Sequence, residues 1–210
     1  KRLKPREFAP YDVRGENYAA LLWFFEGFTS YYDDLFLVRT GLIDQTRYLR
    51  LVNKTVNLVL GTPGRRVQSV AQSSFDTWVK YYRPDENSAN ATVSYYTKGS
   101  LVAQALDLTL REEGKGTLDA VMRGLWACSG GGPIGEDDIA AVLAEVGGRS
   151  FAAELAAWVH GTEDLPTQPL LAAHGAFTLT GSAAKLKYAK VGAGYRDRRD
   201  TTQPFRRHWT

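Results

Sequence analysis

The strongest structural signal in the sequence is WFFEGFTSYYDDL, residues 23–35, which surrounds one glutamate with aromatic residues. Its apolar side chains recur at helical spacing, and the same stripe runs through residues 16–39 before Gly41. The pattern therefore predicts a long α-helix that is buried over much of its surface. Glu26 lies inside the apolar stripe, where a carboxylate is costly unless it is paired, protonated or bound to a metal.

Further helices are predicted beyond this stretch, where apolar residues recur at helical spacing between polar caps and Gly or Pro breaks. The predicted helical segments are residues 44–60, 67–79, 94–112, 117–126, 135–146, 150–161 and 166–174. Residues 83–90 are typical of a polar surface loop, and residues 176–180 alternate like a short strand. The sequence thus predicts an all-α multi-helix bundle over residues 1–181, followed by a basic, irregular tail over residues 182–210.

The composition is that of a globular protein and excludes several kinds of site. Hydrophobic residues make up 44% of the 210 residues, which is enough for a core. Cys128 is the only cysteine, so neither a disulfide framework nor a multi-cysteine zinc cluster can form. We expect Cys128 to be buried in a helix beside Trp126. The three histidines are far apart and form no His-x-x-x-His pair.

Positive charge is concentrated at the two ends of the chain, with eight Lys or Arg against two Asp in residues 182–210. Basic ends can bind nucleic acid, but they also occur where a segment leads into another part of a larger protein. Since no helix-turn-helix or RNA-binding signature is present, we expect no nucleic-acid partner. We expect no membrane partner, because no run of about 18 apolar residues occurs. The chain does not begin with Met, so we expect a piece of a longer soluble protein, either cytoplasmic or periplasmic.

Two acids on the first predicted helix are candidates for binding a cation. Asp33 follows Glu26 by seven residues, which is two helical turns, and at about 100° per residue it projects within about 20° of Glu26. Two carboxylates on one side of a helix could hold one cation. The alternative is that Glu26 pairs with Arg47 or Arg50, and the residues alone leave both interpretations open.

Several motifs together resemble a known family of enzymes. Residues 23–32, Trp-x-x-Glu-Gly-Phe-Thr-Ser-Tyr-Tyr, resemble the helix that carries the third zinc ligand in gluzincin metallopeptidases. Residues 95–101 resemble the Tyr-x-Lys-Gly helix start of related aminopeptidases, and residues 1–6 and 161–166 resemble further segments. The closest resemblance is to the glycyl aminopeptidase family, which joins a thermolysin-like catalytic domain to a PDZ domain. This resemblance covers about residues 1–175, and its motifs occur in the same order as in the family.

The resemblance implies that the chain is the helical C-terminal half of a thermolysin-like catalytic domain. The family's His-Glu-x-x-His element, which supplies two zinc ligands and the general base, is absent and would lie immediately before Lys1. The β-rich N-terminal domain and the PDZ domain, toward which residues 182–210 would lead, are absent as well. The expected partners in the intact protein are therefore the missing catalytic half, the PDZ domain and a peptide substrate.

The resemblance also implies roles for individual residues. Glu26 would be the third zinc ligand, and Asp33 would support the metal site without binding the ion directly. Tyr96 would donate a hydrogen bond to the oxyanion of the tetrahedral intermediate, with Tyr95 as the alternative if the alignment slips by one residue. The substrates would be peptides with a small N-terminal residue, Gly or Ala, and the cofactor of the intact enzyme would be Zn²⁺. The isolated chain would bind no zinc tightly and would be inactive. A non-catalytic helical interaction domain derived from the same scaffold is the alternative function.

Overall fold

The computed structural model of the protein describes residues 2–175, 178–179 and 187–188. In these residues the chain forms nine α-helices and one short antiparallel pair of strands. The helices are α1 (Leu22–Arg39), α2 (Gln45–Leu60), α3 (Val70–Phe75), α4 (Ser88–Ala91), α5 (Thr97–Glu112), α6 (Leu118–Ser129), α7 (Glu136–Gly147), α8 (Ala152–Leu155) and α9 (Thr167–Ala173). The strands are β1 (Thr178–Leu179) and β2 (Lys187–Tyr188). The prediction of an all-α bundle is confirmed.

Helix α5 lies at the centre of the bundle and is buried along nearly its whole length. It packs against α1, α2, α6 and α9, which surround it on different sides. Most of its buried positions are small or aliphatic, so neighbouring helices bury them together in one core. None of the helices described is both long enough and apolar enough to cross a membrane.

Helices α1 and α5 cross in close contact at Gly27 and Gly99. A Cβ atom built on Gly27 would lie 2.5 Å from the backbone carbon of Gly99, and one on Gly99 would lie 2.7 Å from the carbonyl oxygen of Trp23. Both distances are shorter than any real contact allows, so only glycine fits at these positions. The two backbones therefore touch directly. This contact fixes the positions of the residues on either side of the crossing.

A buried carboxylate joins the same helices farther along. Asp107 of α5 accepts hydrogen bonds from the Tyr31 hydroxyl at 2.7 Å, from Arg111 Nε at 2.9 Å and from the backbone N–H of Leu118 at 2.7 Å. The Asp107 side chain is almost fully buried, so its charge is compensated by these donors rather than by water. The interaction ties α1, α5 and the start of α6 together.

Several predicted boundaries are wrong, and local hydrogen bonds explain them. α1 begins at Leu22 rather than at residue 16. The Asn17 side chain bonds to the backbone of Asp12 and Gly15, which competes with helix formation there. The predicted helix over residues 67–79 is shorter, because Ser69 caps α3 through a capping box and a 3₁₀ turn follows.

Four other expectations differ from the structure or fall outside the described residues. The predicted loop over residues 83–90 contains the start of α4, and α8 continues as a π-helical turn over Ala156–His160. Cys128 is exposed, because it lies in the last turn of α6, where the chain turns away from the core. The predicted tail over residues 182–210 lies outside the described residues except for β2.

We expect Gly27→Ala to lower the free energy of unfolding by about 2–3 kcal/mol, because the new methyl group meets backbone atoms that cannot rotate away. This loss would exceed the gain of up to about 1 kcal/mol that alanine gives a helix interior. Urea denaturation measures the effect. Gly15→Ala is the control, since its Cβ meets nothing within 4 Å, and it should stay within about 0.5 kcal/mol of the parent. Equal stability of both variants would contradict the direct backbone contact.

Candidate active site at the crossing of helices α1 and α5

Glu26 and Tyr96 lie beside the glycine crossing, although 70 positions separate them in sequence. Glu26 directly precedes Gly27 on α1, and Tyr96 is the residue before α5 and three residues before Gly99. Both side chains are half-buried. Burial raises the pKa of the Tyr96 phenol to about 12, and the charge of Glu26 contributes to that rise. Two of the three predicted site residues therefore adjoin the same crossing.

The two adjacent tyrosines differ sharply in environment. Tyr95 is 1% exposed, and its ring packs against those of Tyr81 and Tyr96 at centroid distances of 4.9 and 4.6 Å. Burial raises the pKa of Tyr95 strongly, and its side-chain hydrogen bonding with Tyr82 adds to the effect. Tyr95 is therefore a core residue, whereas the half-buried Tyr96 lies at the surface within the field of Glu26.

Asp33 occupies a different place from Glu26. Its side chain is exposed, and the seven-residue separation puts its Cα about 10 Å farther along the axis of α1. It lines an open cavity of about 560 Å³ between α1 and α6, where Arg39 forms an ion pair with Asp119 at 2.8 Å. The structure does not place the Asp33 carboxylate beside that of Glu26. Arg47 and Arg50, the alternative partners of Glu26, are exposed on α2.

Sequence reasoning missed the role of Lys98, although it belongs to the same Tyr-x-Lys-Gly segment. Lys98 is 1% exposed, and its ammonium group donates a hydrogen bond to the carbonyl oxygen of Arg65 at 3.2 Å. Burial lowers its pKa. Arg65 in turn forms an ion pair with Asp164 at 2.6 Å. This chain of contacts fastens the start of α5, and with it Tyr96, to the turn that follows α2.

The donor atoms available to a metal are few in the part of the chain that the structure describes. No three His, Cys, Asp or Glu side chains come together there in a group that could hold a metal ion. Glu26 fits the role of one ligand, because a half-buried carboxylate beside a phenol can bind a cation from its exposed side. A complete catalytic zinc site needs three protein ligands and one open position, so further ligands would have to come from elsewhere.

The electrostatic influence of Glu26 on Tyr96 can be measured by titration. Glu26→Gln should lower the pKa of Tyr96, because a nearby negative charge disfavours the phenolate and its removal relieves that effect. The ¹³Cζ resonance of Tyr96, followed by NMR toward alkaline pH, reports the ionised fraction. Glu145→Gln removes one exposed carboxylate from α7 and should leave the titration unchanged. An unshifted Tyr96 titration in Glu26→Gln would show that the two groups are not neighbours.

Comparisons with known proteins identify similar sequences and folds. Residues 1–102 match the sequence model of the M61 glycyl aminopeptidase family. The fold is similar to the crystal structure of an aminopeptidase N family protein from Idiomarina loihiensis, with 39% identity and a TM-score of 0.80. The match covers 85% of this chain but only 31% of that protein, so this chain spans about a third of its relative's length. No curated protein sequence matches the chain. The family match and the structural likeness together support assignment of this chain to the M61 glycyl aminopeptidase family.

Proposed function

We propose that this chain is the helical, metal-completing half of a zinc-dependent aminopeptidase that hydrolyses peptides with an N-terminal Gly or Ala. The observation that supports the proposal is that Glu26 and Tyr96 both adjoin the glycine crossing and that the charge of Glu26 adds to the raised pKa of Tyr96. Membership of a peptidase family supports the hydrolase class. The small N-terminal residue of the substrate follows from the family resemblance.

Glu26 is the proposed third zinc ligand. Its backbone position is fixed by the contact of Gly27 with Gly99, so the carboxylate can be held in place before a metal arrives. The two histidine ligands and the general base would come from a His-Glu-x-x-His helix contributed by the missing catalytic half. When bound, zinc polarises a carbonyl group and lowers the pKa of water. One carboxylate cannot replace three ligands, so the chain alone should be inactive and bind zinc weakly.

Tyr96 is the proposed donor to the oxyanion that forms on the substrate carbonyl. Its pKa of about 12 keeps the phenol protonated at neutral pH, so the hydroxyl is available as a hydrogen-bond donor. A donor fixed before the reaction stabilises the charge that develops in the transition state. Tyr95 is too deeply buried for this role.

Asp33 is proposed to support the site from farther along α1. Its exposed carboxylate lies on the side of the helix that carries Glu26, where a histidine from the missing half could donate a hydrogen bond to it. The alternative function is a non-catalytic interaction domain on the same scaffold. The sequence immediately upstream of Lys1 distinguishes it from the proposed peptidase. A peptidase requires His-Glu-x-x-His there, and an interaction domain does not.

In the intact enzyme, Glu26→Ala should abolish peptidase activity and sharply reduce the zinc content, because it removes a ligand. Asp33→Asn should weaken zinc binding less, since it removes only a supporting hydrogen bond. Metal analysis and steady-state kinetics on a Gly-terminated peptide measure both effects. Glu145→Ala, on the exposed surface of α7, is the matched control and should behave as the parent. Full zinc content in Glu26→Ala would remove this residue from the metal site.

Tyr96→Phe should lower kcat of the intact enzyme by about 10²–10³, or roughly 2.7–4 kcal/mol, while KM changes little. The hydrogen bond strengthens only as negative charge develops, so its loss acts on the transition state. Stability should change little, because the ring remains. Tyr95→Phe is the comparison variant, and we expect a milder effect on kcat. A near-normal kcat in Tyr96→Phe, with folding and zinc content intact, would exclude Tyr96 from the reaction.

A further inference from the structure

Tyr96 belongs to a group of packed aromatic rings, and the function proposed above uses none of the others. We call this group the tyrosine cluster, and its members are Tyr81, Tyr82, Tyr95 and Tyr96. The centroid of the Tyr96 ring lies 4.6 Å from that of Tyr95 and 5.8 Å from that of Tyr81. The Tyr81 and Tyr95 centroids are 4.9 Å apart. Each of these three rings therefore contacts the other two, at separations at which aromatic rings attract one another.

The start of α5 does not by itself fix the direction of the Tyr96 side chain. Its backbone is helical, with φ of −67° and ψ of −59°, and its side chain makes no capping hydrogen bond. A tyrosine on helical backbone has two common χ1 rotamers, near 180° and −60°, which send the ring in different directions. The side chain is only half-buried, so the core does not enclose it on all sides. A contact from another part of the chain is therefore needed to select one rotamer.

Tyr81 supplies such a contact, because it comes from a different segment of the chain. Tyr95 directly precedes Tyr96 and shares its backbone, and it is buried in the core. Tyr81 instead follows the 3₁₀ turn Asp76–Trp78, which comes after α3. Its side chain is 37% exposed, so its ring lies at the surface beside Tyr96. The orientation of Tyr96 therefore depends on how the segment after α3 is placed against the start of α5.

Backbone hydrogen bonds hold the chain on both sides of Tyr81. The N–H of Lys80 donates to the carbonyl oxygen of Asp76 at 2.8 Å, and the N–H of Tyr82 donates to that of Thr77 at 3.1 Å. Thr77 is itself 4% exposed, so this turn is joined to the core and is not a free loop. The backbone that carries the Tyr81 ring is therefore fixed before any substrate binds.

Neighbouring rings also support the side chain of Tyr81. The Tyr82 ring packs edge-on against it, with centroids 5.4 Å apart and an angle of 82° between the ring planes. Tyr82 in turn contacts Trp78 at 6.4 Å, and the indole N–H of Trp78 donates to the carbonyl oxygen of Asn17 at 3.0 Å. This series of contacts connects Tyr81 to the segment before α1, so its ring has little freedom to move away from Tyr96.

We propose that Tyr81 is a positioning residue for Tyr96. Its ring selects the rotamer from which the Tyr96 hydroxyl donates to the substrate carbonyl, and this role rests on the proposed peptidase function. A donor stabilises the transition state best when it is already directed at the place where charge develops. Tyr81 acts through the contact of its ring and not through its hydroxyl. Phenylalanine should therefore replace it, whereas a side chain without a ring should not.

The rotamer of Tyr96 can be measured in this chain without any peptidase activity. Three-bond ¹⁵N–¹³Cγ and ¹³C′–¹³Cγ couplings report the populations of the χ1 rotamers. We expect one rotamer in the parent and in Tyr81→Phe, and couplings averaged over two rotamers in Tyr81→Ala. Tyr81→Leu, which keeps an apolar side chain, is the second ringless variant and should resemble Tyr81→Ala. Phe75→Ala is the matched control, because it removes a 51% exposed ring that packs on Tyr18 outside the tyrosine cluster. Averaged couplings in the parent, or one rotamer in both ringless variants, would overturn the proposal.

A double-mutant cycle in the intact enzyme tests whether Tyr81 acts through Tyr96. Tyr81→Ala should lower kcat about tenfold and change KM by less than about twofold, and Tyr81→Phe should retain kcat. In the Tyr96→Phe background, Tyr81→Ala should cause no further loss, because no hydroxyl remains to be positioned. Equal losses in both backgrounds would assign Tyr81 a merely structural role and overturn the proposal. A normal kcat in Tyr96→Phe would instead contradict the proposed role of Tyr96 in the reaction, and the couplings would still decide whether Tyr81 fixes its ring.

Discussion

The direct contact of two helix backbones at Gly27 and Gly99 is the constraint on which the rest of the structure depends. Side chains normally keep helix axes 8–10 Å apart, and two glycines facing each other remove that spacing. Because the residues next to the crossing cannot slide past one another, Glu26 on α1 and Tyr96 before α5 are held together. A carboxylate and a phenol from distant parts of the sequence thus adjoin the same helix crossing.

Buried polar contacts prevent α5 from rotating about its own axis. Asp107 is held by donors from α1 and α6, and Lys98 is held by the turn after α2. Rotation by a single residue would turn each side chain by about 100° and leave a buried charge without its partners. The glycine crossing fixes the distance between the helices, and these charges fix the direction in which Tyr96 points.

The helices could largely be predicted from apolar spacing, because burial of a stripe is a local property of the sequence. The start of α1 could not, since it depends on hydrogen bonds that the Asn17 side chain makes with nearby backbone. The pairing of Glu26 with Tyr96 followed from the family resemblance and not from the residues themselves. The distinction between Tyr95 and Tyr96 required the packing of Tyr81 and Tyr82, which come from another segment.

The acids Asp33 and Asp34 illustrate where sequence reasoning reaches its limit. A helical wheel puts Asp33 on the side of Glu26, but it ignores the rise along the axis and the helices packed around it. One step of about 100° separates the two side chains, so Asp33 points to the open cavity beside α6 and Asp34 to the cavity enclosed by α2 and α5. Only the second carboxylate is partly removed from water, and burial raises its pKa. The surroundings of Asp34 therefore depend on α2 and α5, whose positions no residue near Asp34 encodes.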